Sequence, residues 1–84
     1  MKAIGRVRLK FPSKKHVDVV FEALDPEVRK PPTVRSQTSL ERKRTSLILR
    51  IEAADTTALR AAMNSYLRWI DSTKNVLETL ESLS

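Results

Sequence analysis

Residues 55–70 read Asp-Thr-Thr-Ala-Leu-Arg-Ala-Ala-Met-Asn-Ser-Tyr-Leu-Arg-Trp-Ile, and in this one stretch cap, apolar period and polar placement agree. Asp55 is placed as an N-cap, its carboxylate able to accept from first-turn amides and to complement the helix dipole. Leu59, Met63, Tyr66, Ile70, Leu77 and Leu80 form one apolar seam of the helix that follows, and Ala62, Trp69, Val76 and Leu83 form a second on its shoulder. Together the seams cover roughly 200° of the helical wheel, wider than the stripe of an ordinary surface helix. A helix from Thr56 to about Leu83 would be ~40 Å long, more than a small sheet needs for cover, so part of it is predicted to overhang.

Immediately before it, Ser46 to Ala53 is the most apolar strand candidate, with Leu47, Leu49, Ile51 and Ala53 on one face and Ile48 interrupting the polar other face. That pattern suits a central strand. Upstream, Val34 to Leu40 alternates weakly and is polar, as an edge strand would. The charged cluster Glu41-Arg42-Lys43-Arg44 is placed at the hairpin turn between them. Near the start of the chain, Val7, Leu9 and Phe11 alternate with Arg6, Arg8 and Lys10, the period-2 signature of a half-buried strand. Pro12 stops it and Ser13 caps a helix whose apolar face is Val17, Val20, Phe21 and Leu24. Pro26 is expected to end that helix near Leu24, and Glu27 to Thr33, with Pro31 and Pro32, reads as a stiff connector.

These elements combine into an α+β fold of two layers in the order β-α-β-β-α. The three-stranded antiparallel sheet has spatial order 1-3-2, and both helices lie on one face. The 84 residues are expected to form one domain, 1–84, with a thin core. Cysteine is absent and there is one histidine, so disulfides and Cys/His zinc sites are excluded as staples and self-association is expected. The lone Gly5 excludes phosphate-cradling glycine loops, and His16 without a thiol leaves no nucleophile pair. His16 itself reads as an ordinary surface residue. The expectation is a non-enzyme without cofactor or metal, soluble and cytoplasmic, with no apolar run long enough to span a membrane.

Net charge is +6, from 16 Lys and Arg against 10 Asp and Glu, and the excess lies before Arg50. An anionic partner is therefore plausible, with nucleic acid first. Arg6, Arg8 and Lys10 on the first strand, Arg50 on the third and Arg35 on the second are candidates for one positive sheet face, with Arg42, Lys43 and Arg44 added from the turn. A solvated open face explains the same charges equally well. Exposed aromatic platforms are missing from the sheet, so any such contact is expected to be electrostatic and sequence-tolerant. On the long helix, Arg60, Asn64 and Arg68 align at i, i+4, i+8 beside Ser65 and Trp69, a row suited to the rim of a partner interface. Packing of Trp69 on the first helix is the alternative.

Asp55, Ala58-Leu59-Arg60-Ala61 and Asn64-Ser65-Tyr66-Leu67-Arg68-Trp69-Ile70 resemble the second helix of the small Pcc subunit of the KEOPS complex, a family related to the CTAG/LAGE proteins. Ser13, Val17 through Leu24 to Pro26-Glu27, and Leu47 to Ala53 support the likeness, whose short length is archaeal in type; the hairpin 34–44 supports it least. The resemblance implies a non-catalytic homodimer that docks through its helices on the ATP-dependent catalytic subunit. It also implies a part in holding tRNA during threonylcarbamoyl modification of the adenosine next to the anticodon. Two other readings stand beside it: a free-standing KH-like RNA-binding module, which would want a Gly-x-x-Gly loop this chain lacks, and a purely structural homodimer.

Overall fold

In the computed structural model, which describes residues 2–29 and 36–83, the chain runs β1 (Ala3–Lys10), α1 (Lys14–Val28), β2 (Ser36–Lys43), β3 (Ser46–Ala53) and α2 (Thr56–Leu83). The predicted α+β architecture is present, with sheet order β1-β3-β2. β3 lies antiparallel to both neighbours, Ala53 standing between Ala3 and Ser36 at one end and Ser46 between Lys10 and Lys43 at the other. β3 is central because it alone is apolar on both faces: Leu47, Leu49 and Ile51 are fully buried toward the helices, and Ile48 is 6% exposed on the opposite face. Val17, Val20 and Leu24 of α1, Phe11 after β1 and Ile70 of α2 complete the buried cluster. Full burial of each such aliphatic side chain contributes about 1.5–3 kcal/mol.

Both predicted caps form. The Ala58 amide donates to Asp55 Oδ1 at 2.7 Å, and the His16 amide to Ser13 Oγ at 3.3 Å. α1, however, does not end at Leu24 but continues through Pro26 to Val28. Pro26 falls in the last turn, where its missing N–H costs one bond on an exposed side of the helix that water can serve. Beyond it, the Arg29 amide donates to the Asp25 carbonyl at 3.0 Å, and Arg29 Nε to Asp25 Oδ2 at 2.7 Å. The expected connector therefore begins later than Glu27, and its remainder, like Val34 and Arg35, lies outside the described residues.

The hairpin also differs. β2 carries Glu41, Arg42 and Lys43 as strand residues, and the turn shrinks to Arg44 and Thr45. Arg44 takes the left-handed backbone, φ 53°, that a tight turn needs and that glycine would otherwise supply.

α2 has 28 residues, ~42 Å of helix, and the molecule measures 48 × 21 × 19 Å. Among the described side chains of α2, Ile70 is the last that is buried. Past it the predicted overhang exists, and Leu80, assigned to the core seam by its period, is 58% exposed there. Among the described residues no helix is long and apolar enough to cross a membrane.

Candidate functional site

Alternation along three registered strands decides which charges meet. Ala3, Gly5, Val7 and Leu9 of β1 stand beside the inward residues of β3, so Ile4, Arg6, Arg8 and Lys10 project from the open face. Across that face the rows are Arg6–Arg50–Ser39, Arg8–Ile48–Glu41 and Lys10–Ser46–Lys43. Five predicted cations, Arg6, Arg8, Lys10, Lys43 and Arg50, therefore share one surface, and Arg44 adjoins its end in the turn.

Arg42 is not brought to that surface. It pairs with Leu47 on the helix side of the sheet, where its Nη1 lies 2.9 Å from Asp18 Oδ1 of α1 and its guanidinium stands 4.4 Å from the Phe21 ring centroid. Arg35 lies outside the described residues.

Electrostatically the face is strained at one row. Arg6 and Arg50 are directly opposed, a like-charge arrangement that weakens an antiparallel pair. Glu52 answers in part: its carboxylate is 2.7 Å from Lys2 Nζ and 3.6 Å from Arg50 Nη1. The Lys2 hydrogen bond and charge, followed by Arg50, hold that carboxyl below the usual carboxylate range against partial burial. Among the described residues Arg6, Arg8 and Lys10 make no ion pair.

The helix row is divided by the fold. Arg60 and Asn64 border a shallow recess of about 290 Å³ with Leu59 and Met63. Asn64 and Arg68 also line a groove of about 570 Å³, facing Lys10 and Phe11 and sharing their wall with Asp71 and Lys74. This groove runs beside the unpaired edge of β1 and joins a member of the basic face, Lys10, to the helix row. Ser65 points elsewhere, into a recess of about 360 Å³ with Ser36, Ala58 and Ala62. Trp69 is 40% exposed, and Val76 and Leu80, at i+7 and i+11 from it on the same side of the helix, are each 58% exposed.

His16 is no ordinary surface residue. Its side chain is 12% exposed, with Nδ1 2.7 Å from Ser13 Oγ and Nε2 2.5 Å from Glu81 Oε1, so it ties the start of α1 to the overhang of α2. No local pattern signalled this joint. Among the described residues no three His, Asp or Glu side chains gather where a metal could be held.

The family model described as "Transcription factor Pcc1" matches residues 5–81. A protein named KEOPS complex subunit Pcc1, from Pyrococcus abyssi (strain GE5 / Orsay), is 37% identical over 73 residues, which cover 87% of this chain and 89% of that protein. Among solved structures, a chain of "Crystal structure of binary complex Gon7-Pcc1" matches with a TM-score of 0.77 at 16% identity, covering 98% of this chain and 96% of the other. At that identity the last likeness speaks to fold alone.

Proposed function

The chain belongs to the Pcc1 family, and from that premise we propose that it is a non-catalytic subunit of a cytoplasmic KEOPS complex. In this reading a homodimer docks through α2 on the ATP-dependent catalytic subunit and supports tRNA during threonylcarbamoyl modification next to the anticodon. The observation that carries the reading is the 37% identity that extends over 89% of an archaeal KEOPS subunit. Physical features support each half. Trp69 before the overhang of α2, and Val76 and Leu80 within it, are exposed apolar surface that a partner would remove from water. Ser65 supplies a polar neighbour on that side of the helix, while Arg60, Asn64 and Arg68, on the side toward β1, supply a second polar contact surface. The basic open face of the sheet supplies the field for tRNA phosphates.

The test is purification of the chain from its own cells, followed by reconstitution. The catalytic subunit is expected to co-purify, and threonylcarbamoylation of tRNA by the reconstituted complex is expected to fall when the chain is omitted. A chain that brings down no other subunit, and whose omission leaves modification undiminished, overturns the reading.

A further inference from the structure

We propose that the outward side of β1 is a track for one extended phosphodiester strand, taking single-stranded nucleic acid in preference to duplex. The proposal rests on the nucleic-acid half of the function proposed above and adds the form of the ligand.

Spacing is the first argument. Arg6, Arg8 and Lys10 are successive outward residues of one strand, so their Cβ atoms repeat at roughly 7 Å. Two residues of polypeptide and one nucleotide of sugar-phosphate backbone contain the same number of chain bonds. An extended nucleic-acid strand therefore repeats its charge at about the interval at which β1 presents its cations.

Width is the second. The basic row is one strand deep over most of its length: β3 adds Arg50 beside Arg6 and β2 adds Lys43 at the hairpin end, but the other outward residues of β2, Gln37, Ser39 and Glu41, carry no positive charge. A duplex laid over the face carries about one charge per 1.7 Å of axis from two strands. Its second strand would come to lie toward Glu41, whereas a lone strand following β1 avoids that carboxylate.

The third argument is the opposed pair. Arg6 and Arg50 repel across the sheet, and of these two Glu52, whose nearer partner is Lys2, reaches only Arg50, at 3.6 Å. A phosphate between the two guanidiniums converts the repulsion into two charge-assisted hydrogen bonds. No aromatic residue projects from the face, so the bases are not stacked and the sequence is not read.

The experiment is fluorescence anisotropy of the full chain with labelled oligouridylate of about twelve nucleotides, and with an RNA duplex of equal charge, as functions of salt. The single strand is expected to bind more tightly. Changing Arg6, Arg8 and Lys10 together to Gln should lower its log–log salt slope by about 2, near 0.7 for each lost phosphate contact. The pair Lys14→Gln and Lys15→Gln, which removes charge from α1, should leave the slope near that of the wild type. Arg6→Gln alone should weaken binding while raising Tm, since it removes the like-charge pair, so lost affinity is separable from lost fold. Equal or tighter duplex binding, weakened by the same triple change, overturns the single-strand preference but not the sheet face as the nucleic-acid surface. A slope untouched by the triple change overturns both.

Discussion

Gly5 lies directly beneath Met63: a β-carbon built on it would stand 2.7 Å from Met63 Cε and 3.1 Å from a Leu59 Cδ. α2 therefore sits on β1 at a distance that hydrogen at this position allows. The clashing atom is the free end of a flexible side chain, so Gly5→Ala should cost only about 1 kcal/mol as Met63 turns aside. Gly5→Val meets Leu59 as well and should cost about 1–3 kcal/mol. Adding Met63→Ala to Gly5→Val should recover part of that loss, seen as coupling in a double-mutant cycle measured by urea unfolding. Strict additivity would show that the two residues do not share the space.

The α2 cap is a single contact with a defined effect. Asp55 Oδ1 accepts from the Ala58 amide at 2.7 Å, and its carboxylate faces the positive end of the helix. Asp55→Ala should lower stability by about 1 kcal/mol, and Asp55→Asn by less, because the amide oxygen still accepts. The urea midpoint should move with an unchanged m-value, since the area exposed on unfolding stays the same.

Acid should act through Glu52. Lys2 first, then Arg50, hold its folded carboxyl below the ordinary range. A depressed folded value means the contribution is fully present above the unfolded pKa, about 4.3, and is lost as pH falls through the lower folded value. Glu52→Gln should therefore reduce stability at neutral pH and make the urea midpoint fall less between about pH 5 and pH 2 than it does in the wild type. Equal acid sensitivity in the two proteins would remove Glu52 from the account.

The elements were legible where one period governs a whole segment. Alternation placed β1 and β3, the 3.6-residue repeat placed α2, and Asp55 and Ser13 marked their helix starts because capping is decided within a few residues. The ends that misled depend on tolerance instead. Pro26 sits where a missing donor costs least, and Arg44 accepts a backbone that glycine more often takes. The open basic face was legible for Arg6, Arg8, Lys10 and Arg50, since register follows from which faces of the strands are apolar. Arg42 was not, because its destination is set by Asp18 and Phe21 on another element. His16 and Glu81 meet for a similar reason, through the angle at which α1 crosses the overhang, which no local pattern encodes.

Arg42 should separate fold from binding. Its contacts with Asp18 and the Phe21 ring fasten β2 to α1, so Arg42→Ala should lower stability by about 1 kcal/mol, the sum of a surface ion pair and a cation–π contact. Facing the helices, it should leave the salt slope of oligouridylate binding unchanged. A slope reduced as much as by loss of Arg8 would place Arg42 at the nucleic acid after all.

The overhang gives the sharpest separation between stability and association. Val76 and Leu80 are each 58% exposed and lie beyond the buried Ile70, so the isolated chain gains little from them. Val76→Ser with Leu80→Ser should shift the urea midpoint by less than about 1 kcal/mol equivalent, mostly through helix propensity. Removing the same methyl groups from a partner interface should cost about 1 kcal/mol or more per residue, a loss of tenfold or greater in affinity for the catalytic subunit proposed as the partner. Arg68→Glu with Trp69→Ala should weaken the same association, although Trp69, at 40% exposed, will also cost some stability. The serine pair is thus the cleaner probe: undiminished pull-down of the catalytic subunit by a stably folded Val76→Ser, Leu80→Ser chain would move the docking surface off the end of α2 and toward the groove beside β1.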